Sequence, residues 1–357
     1  MNEHSGDHPT RRTFLQSLAA LAVVSPVMAQ SGRAPIPVHG LNHMTLAVSD
    51  PQRSLEFYQG LFGMPIQARQ GRTPCLRIGA GPQFMALTGG GANVMPEINH
   101  FCLTVEGFDA DRLMQSLGQH GVAPAGASGR GGFSGGLTGG PMHARVRIRD
   151  ESVGGAPEGT PELYLGDPDG IVVQLQDTTY CGGAGVLGDA CLASPEPAPS
   201  GGLLRLRDLN HFTVFVSDAQ RSIAFYQDLF GLPITKHQGT LPLLDVGSGG
   251  QVLAFVGGGG GRGRALIHHA CLTIDDFNHE RVLDVLEGYG VTPQPDARGG
   301  PVGPLTSYVT MRMEDRDGAP EGTPELYFTD PDGILIQLQD ARYCGGAGYF
   351  GEVCARV

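Results

Sequence analysis

Tryptophan is absent from this chain of 357 residues, and aromatic side chains make up only 7% of it. Basic side chains are also few, because 24 Lys and Arg stand against 36 Asp and Glu, for a formal net charge of -12 at pH 7. Nucleic acids and anionic membranes are bound through basic surfaces, so this balance argues against both as partners. The alternating Arg145, Arg147 and Arg149 are interpreted as a solvated strand face.

Long apolar runs are missing beyond the N-terminus, so we expect no membrane span in the mature protein. Glycine and proline, in contrast, are abundant, with 56 and 26 residues. Frequent turn residues favour short strands over a helical bundle. The length is sufficient for two domains, each with its own core.

The first residues predict an export signal. Arg11 and Arg12 precede Thr-Phe-Leu, an apolar run follows at 18–24, and small residues precede Gln30. This order resembles a twin-arginine signal peptide over residues 1–29, with an ordinary helix after a basic start as the alternative. We therefore expect a periplasmic or secreted protein.

Four of the seven cysteines lie in two similar glycine-rich loops, YCGGAGVLGDAC and YCGGAGYFGEVC. They are Cys181, Cys191, Cys344 and Cys354. In an oxidising compartment we expect two local disulfides, Cys181 with Cys191 and Cys344 with Cys354. A zinc site is the alternative, although neither loop has CxxC spacing. Two further cysteines at matched places in apolar strands, 102 and 271, are interpreted as buried free thiols.

One pattern of strands and helices is written twice along the chain. The hairpin motif PELYLGDPDGIVVQLQD at 161–177 returns as PELYFTDPDGILIQLQD at 324–340. Matched segments recur at a nearly constant offset, which indicates a tandem duplication. We expect an α+β protein of two tandem domains, 40–191 and 208–354, joined by the Pro-, Ser- and Gly-rich linker 192–207. Each domain is predicted to contain two βαβββ units.

Each repeat places one histidine on the first strand of each unit and one glutamine on its last strand. If the first strands pair side by side, these three side chains converge on one face of a curved sheet. Imidazole nitrogens and an amide oxygen suit Mn, Fe, Co, Ni or Zn. A satisfied core histidine is the alternative for any single position. The two predicted sets are His43, His100 and Gln174, and His211, His269 and Gln337.

The motifs LxHxxxxVSDxxRSxxFYxxLFG and LYxxDPDGxxxQLQD together resemble the vicinal oxygen chelate superfamily, which includes glyoxalase I, fosfomycin-resistance proteins and extradiol dioxygenases. The resemblance covers residues 40–180 and 208–343. It implies paired βαβββ modules forming a cupped mixed sheet with a divalent metal in the cup. Export in the folded state allows loading in the cytoplasm, which favours Fe or Mn, with Ni, Co and Zn open.

Within that superfamily the extradiol signature is the nearest. The resemblance implies that Tyr164 and Tyr327 act as hydrogen-bond donors in the active site. The chain departs from the signature in two ways, because glutamine replaces the glutamate ligand and no histidine precedes Leu-Tyr. An isomerase of the glyoxalase type would need a ligand where Ala86 and Ala254 stand.

The predicted function is an exported, metal-dependent oxygenase acting on a small chelating substrate, phenols included. The alternatives are a non-catalytic protein that binds a small ligand or a metal, a lyase or isomerase of the same superfamily, and a purely structural protein. We expect either a monomeric pseudodimer of the two domains or a homo-oligomer.

Overall fold

The computed structural model describes residues 34–91, 94–125, 136–261, 263–295 and 303–354. The predicted export signal, residues 1–29, lies outside these ranges. Within them the chain forms eighteen strands and four helices. None of the helices in the described ranges is long and apolar enough to cross a membrane.

The two halves contain the same elements in the same order. The strands of the first half are β1 (Val38–Val48), β2 (Ile66–Gln70), β3 (Thr73–Arg77), β4 (Phe84–Gly89), β5 (Glu97–Val105), β6 (Ala123–Pro124), β7 (His143–Arg149), β8 (Thr160–Gly166) and β9 (Val172–Asp177). The strands of the second half are β10 (Leu206–Phe215), β11 (Ile234–Gln238), β12 (Leu241–Val246), β13 (Gln251–Val256), β14 (Leu266–Ile274), β15 (Thr292–Pro293), β16 (Thr306–Arg312), β17 (Thr323–Thr329) and β18 (Leu335–Asp340). The helices are α1 (Pro51–Phe62), α2 (Ala110–Gln119), α3 (Ala219–Phe230) and α4 (His279–Gly288).

Side-chain caps fix the ends of the helices. Asp50 accepts hydrogen bonds from two backbone N–H groups in the first turn of α1, which have no partner inside the helix. Gly63 ends α1 in the left-handed conformation, with φ of 67°, where a side chain would be strained. Asp218 and Gly231 do the same for α3.

The sheet brings the first strand of each unit next to the other. β1 pairs in parallel with β4 and antiparallel with β5, and β5 pairs in parallel with β9. The second half repeats this order with β13, β10, β14 and β18. The α+β fold of paired βαβββ modules in a mixed sheet is therefore as predicted.

Alternation along these strands sends apolar side chains to a shared core. Met44, Leu46 and Val48 of β1 are fully buried in it, whereas His43 points to the opposite face of the sheet. Both halves contribute to this core. Phe101 and Phe212 stack across it, with ring centroids 5.0 Å apart.

The hairpin turn of the second half binds the start of helix α1 in the first half. Asp330 accepts a hydrogen bond from the hydroxyl of Tyr58 at 3.2 Å. Asp332 accepts from the guanidinium of Arg53 at 2.6 Å and from the backbone N–H of Ser49 at 3.0 Å. Burial raises the pKa of Asp330 to about 6.

The turn of the first half returns the same contacts. Tyr226 donates to Asp167 at 3.5 Å, and Arg221 pairs with Asp169 at 2.9 Å. Burial raises the pKa of Asp167 to about 6. The Asp-Pro-Asp-Gly turns predicted from the sequence therefore have a second role, which is to join the two halves reciprocally.

We expect Asp332→Ala and Asp169→Ala each to lower the free energy of unfolding by about 1–3 kcal/mol, because each removes charge-assisted hydrogen bonds between the halves. Urea unfolding followed by circular dichroism measures the change. Asp284→Ala, an exposed position on α4, is the control and should leave stability unchanged. Equal stability of all three variants would contradict a role for the turns in joining the halves.

Candidate metal centres

The structure brings the first predicted set together. Gln174 Oε1 lies 3.0 Å from His43 Nε2 and 3.1 Å from His100 Nε2. The three side chains come from the neighbouring strands β1, β5 and β9 and are at most 5% exposed. We call the sheet face that carries them the first cup.

The second set has the same arrangement. His211 Nε2 lies 3.0 Å from Gln337 Oε1, and the rings of His211 and His269 meet edge to face with centroids 5.6 Å apart. All three side chains are again buried. This face is the second cup, so the duplication has preserved the whole cluster.

Hydrogen bonds determine which nitrogen of His43 carries its proton. Asn42 Nδ2 donates to the backbone carbonyl of Tyr180 at 2.8 Å, which turns Asn42 Oδ1 toward His43 Nδ1, also at 2.8 Å. An amide oxygen only accepts, so His43 Nδ1 must donate, and in the neutral ring Nε2 is left as a bare lone pair. Asn99 Oδ1 lies 2.9 Å from His100 Nδ1 and, in this orientation, accepts a hydrogen bond from it.

Burial keeps the four histidines neutral. Desolvation lowers the pKa of His100 and His211 to about 4. It also lowers the pKa of His43 and His269 well below the ordinary value. At neutral pH the four rings therefore present uncharged nitrogen donors.

The donor set of each cup fits a divalent cation. In the first cup two imidazole lone pairs and an amide oxygen, all acceptors, point at one another. Gln174 Nε2 and Gln337 Nε2 are buried and have no hydrogen-bond partner among the described residues, so the amides do not use their N–H groups to satisfy the rings. A cation bound by nitrogen and oxygen would satisfy the converging acceptors. No group of three or more His, Cys, Asp or Glu side chains in the described ranges could bind one instead.

The cups differ beside the second histidine. Where the first cup has Asn99, the second has His268, whose Nδ1 lies 2.9 Å from His269 Nδ1. The ring of His268 stacks on Phe215 with centroids 4.1 Å apart. Either imidazole can donate in this contact, and only donation by His269 leaves its Nε2 bare. Two tautomeric arrangements are thus open to the second cup.

Tyr164 and Tyr327 lie beside the clusters, with their hydroxyls directed at carboxylates. Each ring packs edge to face with the second histidine of its cup, at a centroid distance of 5.4 Å. Tyr164 donates to Glu162 at 3.1 Å and Tyr327 to Glu325 at 3.5 Å. Burial raises the pKa of both tyrosines well above the usual range, so both hydroxyls stay protonated. Their role as donors to a substrate stays a prediction.

Two buried ion pairs support these tyrosines, and the sequence did not reveal them. Arg149 pairs with Glu162 at 2.7 Å, and Arg312 pairs with Glu325 at 2.9 Å. The interpretation of Arg149 as part of a solvated face is wrong, because its side chain is 1% exposed. A usable signal was the recurrence of the same Arg and Glu in both repeats.

Both predicted disulfides form, Cys181 with Cys191 and Cys344 with Cys354. The predicted buried free thiols, residues 102 and 271, are confirmed. At the start of each disulfide loop a buried tyrosine packs near the first histidine of the cup. Tyr180 lies 5.6 Å from His43 and Tyr343 lies 5.7 Å from His211, between ring centroids.

A cleft of about 910 Å³ lies between the halves and is bordered by Arg77, Arg207 and Arg342 among others. None of the six clustered histidines and glutamines lines it. Asn42, Asn210 and Tyr343 do line it, so the cleft adjoins the residues that contact the first histidine of each cup.

Residues 40–175 and 208–338 match the family model described as Glyoxalase/Bleomycin resistance protein/Dioxygenase superfamily. Among solved structures, a catechol 2,3-dioxygenase is similar, with 16% identity, a TM-score of 0.53 and coverage of 88% of this chain and 89% of its own. The Mn(II)-bound glyoxalase from Novosphingobium aromaticivorans has 13% identity, a TM-score of 0.54 and coverage of 85% and 82%. An extradiol ring-cleaving dioxygenase from B. fuscum has 16% identity, a TM-score of 0.52 and coverage of 90% and 75%. These structural likenesses establish the fold alone. Among curated proteins, none matches the chain significantly.

The buried histidines predict a pH-dependent stability of the metal-free protein. Folding lowers the pKa of His100 to about 4, whereas the unfolded chain takes up this proton near its ordinary pKa of about 6.5. The stabilisation is therefore fully present above about pH 6.5 and is lost as pH falls toward 4, by about 3 kcal/mol for one histidine. We expect His100→Gln to flatten the pH dependence of urea unfolding by about that amount. The control is His39→Gln at an exposed position, which should leave the pH dependence of stability unaltered. The same pH dependence in the unsubstituted protein, His100→Gln and His39→Gln would contradict the prediction.

The second cup should bind a metal more tightly when His268 is replaced by asparagine, because an asparagine oriented like Asn99 accepts a hydrogen bond from His269 Nδ1 and leaves Nε2 bare. On a His43→Ala background, we expect His268→Asn to strengthen binding of Mn²⁺ severalfold, on the order of tenfold at most. Asn99→His on a His211→Ala background is the reverse exchange and should weaken the first cup. Calorimetric titration measures both, and unchanged affinities would show that the neighbouring residue does not control the tautomer.

Proposed function

Because this chain belongs to the Glyoxalase/Bleomycin resistance protein/Dioxygenase superfamily, we propose that it is an exported, metal-dependent oxygenase of the extradiol-dioxygenase kind. Its substrate would be a small chelating molecule, phenols included. The observation that carries the proposal is the convergence of two imidazole nitrogens and an amide oxygen in the first cup, which His211 and Gln337 repeat in the second. The two disulfides agree with an oxidising compartment outside the cytoplasm.

The residues in named roles are the histidines and glutamines of the two cups. His43, His100 and Gln174 would hold a metal in the first cup, and the matched residues would hold one in the second. Fe or Mn is favoured, with Ni, Co and Zn open. A bound divalent metal would supply Lewis acidity to the oxygen atoms of a chelating substrate.

The surrounding residues determine what such a substrate would meet. Burial of the cluster excludes water from it, which strengthens electrostatic interactions there. Tyr164 retains its proton and directs it at Glu162, a carboxylate that Arg149 pairs on its other side. A substrate oxygen that replaced this carboxylate as acceptor would receive the hydrogen bond from Tyr164. Tyr327 and Glu325 would act equivalently in the second cup.

A second candidate is a binding protein that holds a metal or a small ligand without chemistry. The burial of all six clustered side chains favours it, because a substrate must displace protein to reach them. Tyr180 and Tyr343 add to this enclosure, since each packs beside a clustered histidine. Dioxygen consumption separates the two candidates, because only an oxygenase consumes it.

The first experiment is elemental analysis of the mature protein, purified from its exported location without chelator or added metal. We expect about one equivalent of Fe or Mn per cup, and loss of about half of it in His43→Ala and in His211→Ala. His39→Ala, on the same strand as His43 but exposed, is the matched control and should retain all of it.

Oxygen uptake with a panel of catechols then tests the reaction. Uptake that depends on both the catechol and the metal would support the oxygenase. A full complement of metal with no uptake for any catechol would favour the binding protein. Absence of any transition metal from the exported protein would contradict the oxygenase and leave a protein that binds a small ligand as the better account.

A further inference from the structure

We propose that the disulfide loops, residues 180–191 and 343–354, position the first histidine of each cup for metal binding. The root of each loop orients an asparagine, and the asparagine orients the histidine. The inference rests on the metal centres proposed above and does not require oxygenase activity.

In the first half, three contacts join the loop to the cluster. The backbone carbonyl of Tyr180 accepts from Asn42 Nδ2 at 2.8 Å. Asn42 Oδ1 accepts from His43 Nδ1 at 2.8 Å, and His43 Nε2 faces Gln174 Oε1 at 3.0 Å. The carbonyl is the only group in this series whose role as acceptor cannot be exchanged by rotating a side chain. It therefore determines the direction of the Asn42 amide and, through it, the tautomer of His43.

The second half repeats the series. Asn210 Nδ2 donates to the carbonyl of Tyr343 at 2.9 Å, and His211 Nδ1 donates to Asn210 Oδ1 at 2.9 Å. His211 Nε2 again lies 3.0 Å from the glutamine oxygen. The neighbouring residues have diverged, since Phe84 and Asn99 of the first half correspond to Val252 and His268 of the second. The series is thus retained in both cups although these neighbours differ.

Several buried contacts hold the carbonyl of Tyr180 in place. The Tyr180 hydroxyl donates to Glu162 at 3.2 Å and accepts from Gln70 Nε2 at 2.9 Å. Gln67 Nε2 donates to the carbonyl of the next residue, Cys181, at 2.9 Å. The guanidinium of Arg149 donates to the carbonyl of Gly183, further along the loop, at 2.9 Å. The buried ion pair and the loop are therefore one connected network.

The disulfide closes this loop on itself, in addition to the hydrogen bonds that hold the loop to the sheet. The residues after its first cysteine are Gly-Gly-Ala-Gly, which offer almost no side-chain surface to pack and have high conformational freedom when unconstrained. A Cβ atom at Gly182 would lie only 3.0 Å from both Cys75 Sγ and the Phe84 ring, so the loop follows the sheet closely. Opening the bond would release the loop, and the Asn42 amide would then no longer have a fixed direction.

Loss of this support should weaken metal binding in the same half only. On a His211→Ala background, where the first cup alone binds, we expect Cys181→Ser/Cys191→Ser to weaken Mn²⁺ binding about tenfold. Cys344→Ser/Cys354→Ser on the same background is the matched control, because it opens the loop of the other half, and should leave the affinity unchanged. Calorimetry gives the affinities, and circular dichroism confirms that each full-length variant is folded.

Asn42→Leu tests the same series with the disulfide intact. We expect Asn42→Leu to weaken Mn²⁺ binding about tenfold. We expect the combined variant, with Cys181→Ser/Cys191→Ser added, to bind Mn²⁺ as tightly as Asn42→Leu alone. A merely structural role of the loop would give additive losses. Additive losses, or an affinity unchanged by Asn42→Leu, would overturn the inference.

A readout that needs no metal separates this inference from the proposed function. ¹⁵N NMR of histidine-labelled, metal-free protein should show His43 protonated at Nδ1, with a mixture of both tautomers after Cys181→Ser/Cys191→Ser. That shift would support the positioning role even if the purified protein bound no metal. An identical tautomer with the loop open would overturn the inference, whatever the metal content.

Discussion

A polar atom buried away from water must find a partner inside the protein, and in each cup this requirement falls on a glutamine amide. Gln174 and Gln337 turn their oxygens toward imidazole nitrogens and leave their N–H groups without a partner in the described part of the chain. The arrangement is unfavourable for three acceptors alone and favourable around a cation. The strand order, the asparagines beside the histidines and the disulfide loops all serve to hold these atoms in that relation.

The duplication places one such cluster in each half of the chain. Neither cup is built from both halves, since each uses the two modules of one half. The halves are joined by the shared core, by the hairpin turns that bind helices α1 and α3 reciprocally, and by pairing of β5 with β14 at Ile98 and Ile267. Asn99 and His268 directly follow these two isoleucines, so the position at which the cups differ borders the contact between the halves.

Much of this could be predicted from the sequence because it depends on local patterns. Alternating strands, a capping Asp50 and a terminal Gly63 specify the βαβββ units, and the repeat shows which histidines correspond. The contacts that could not be predicted join distant parts of the chain. Asn42 meets the carbonyl of Tyr180, 138 residues away, and Tyr58 meets Asp330, 272 residues away. No local pattern encodes a bond to a backbone carbonyl on a returning loop.

The same reasoning explains the error over Arg149. Three arginines in alternation satisfy the pattern of an exposed strand edge, and only a partner on the neighbouring strand distinguishes a buried position from an exposed one. Glu162 supplies that partner across the β7–β8 pair, and its match in the second half is Glu325 facing Arg312. Composition and periodicity do not reveal a buried ion pair between two strands, whereas comparison of the two repeats does.

Charge sets the last constraint on what the cups can bind. The donors of each cup are two neutral imidazoles and a neutral amide, so they would leave the charge of a divalent metal uncompensated. The buried carboxylate next to the first cup, Glu162, is already paired with Arg149. An anionic chelating molecule would therefore gain more binding free energy in this site than in one where a glutamate side chain binds the metal. Here the anion would be the only group that neutralises the metal's charge. This is the physical reason to favour phenols and other acidic chelators, which lose a proton on binding, over neutral ones.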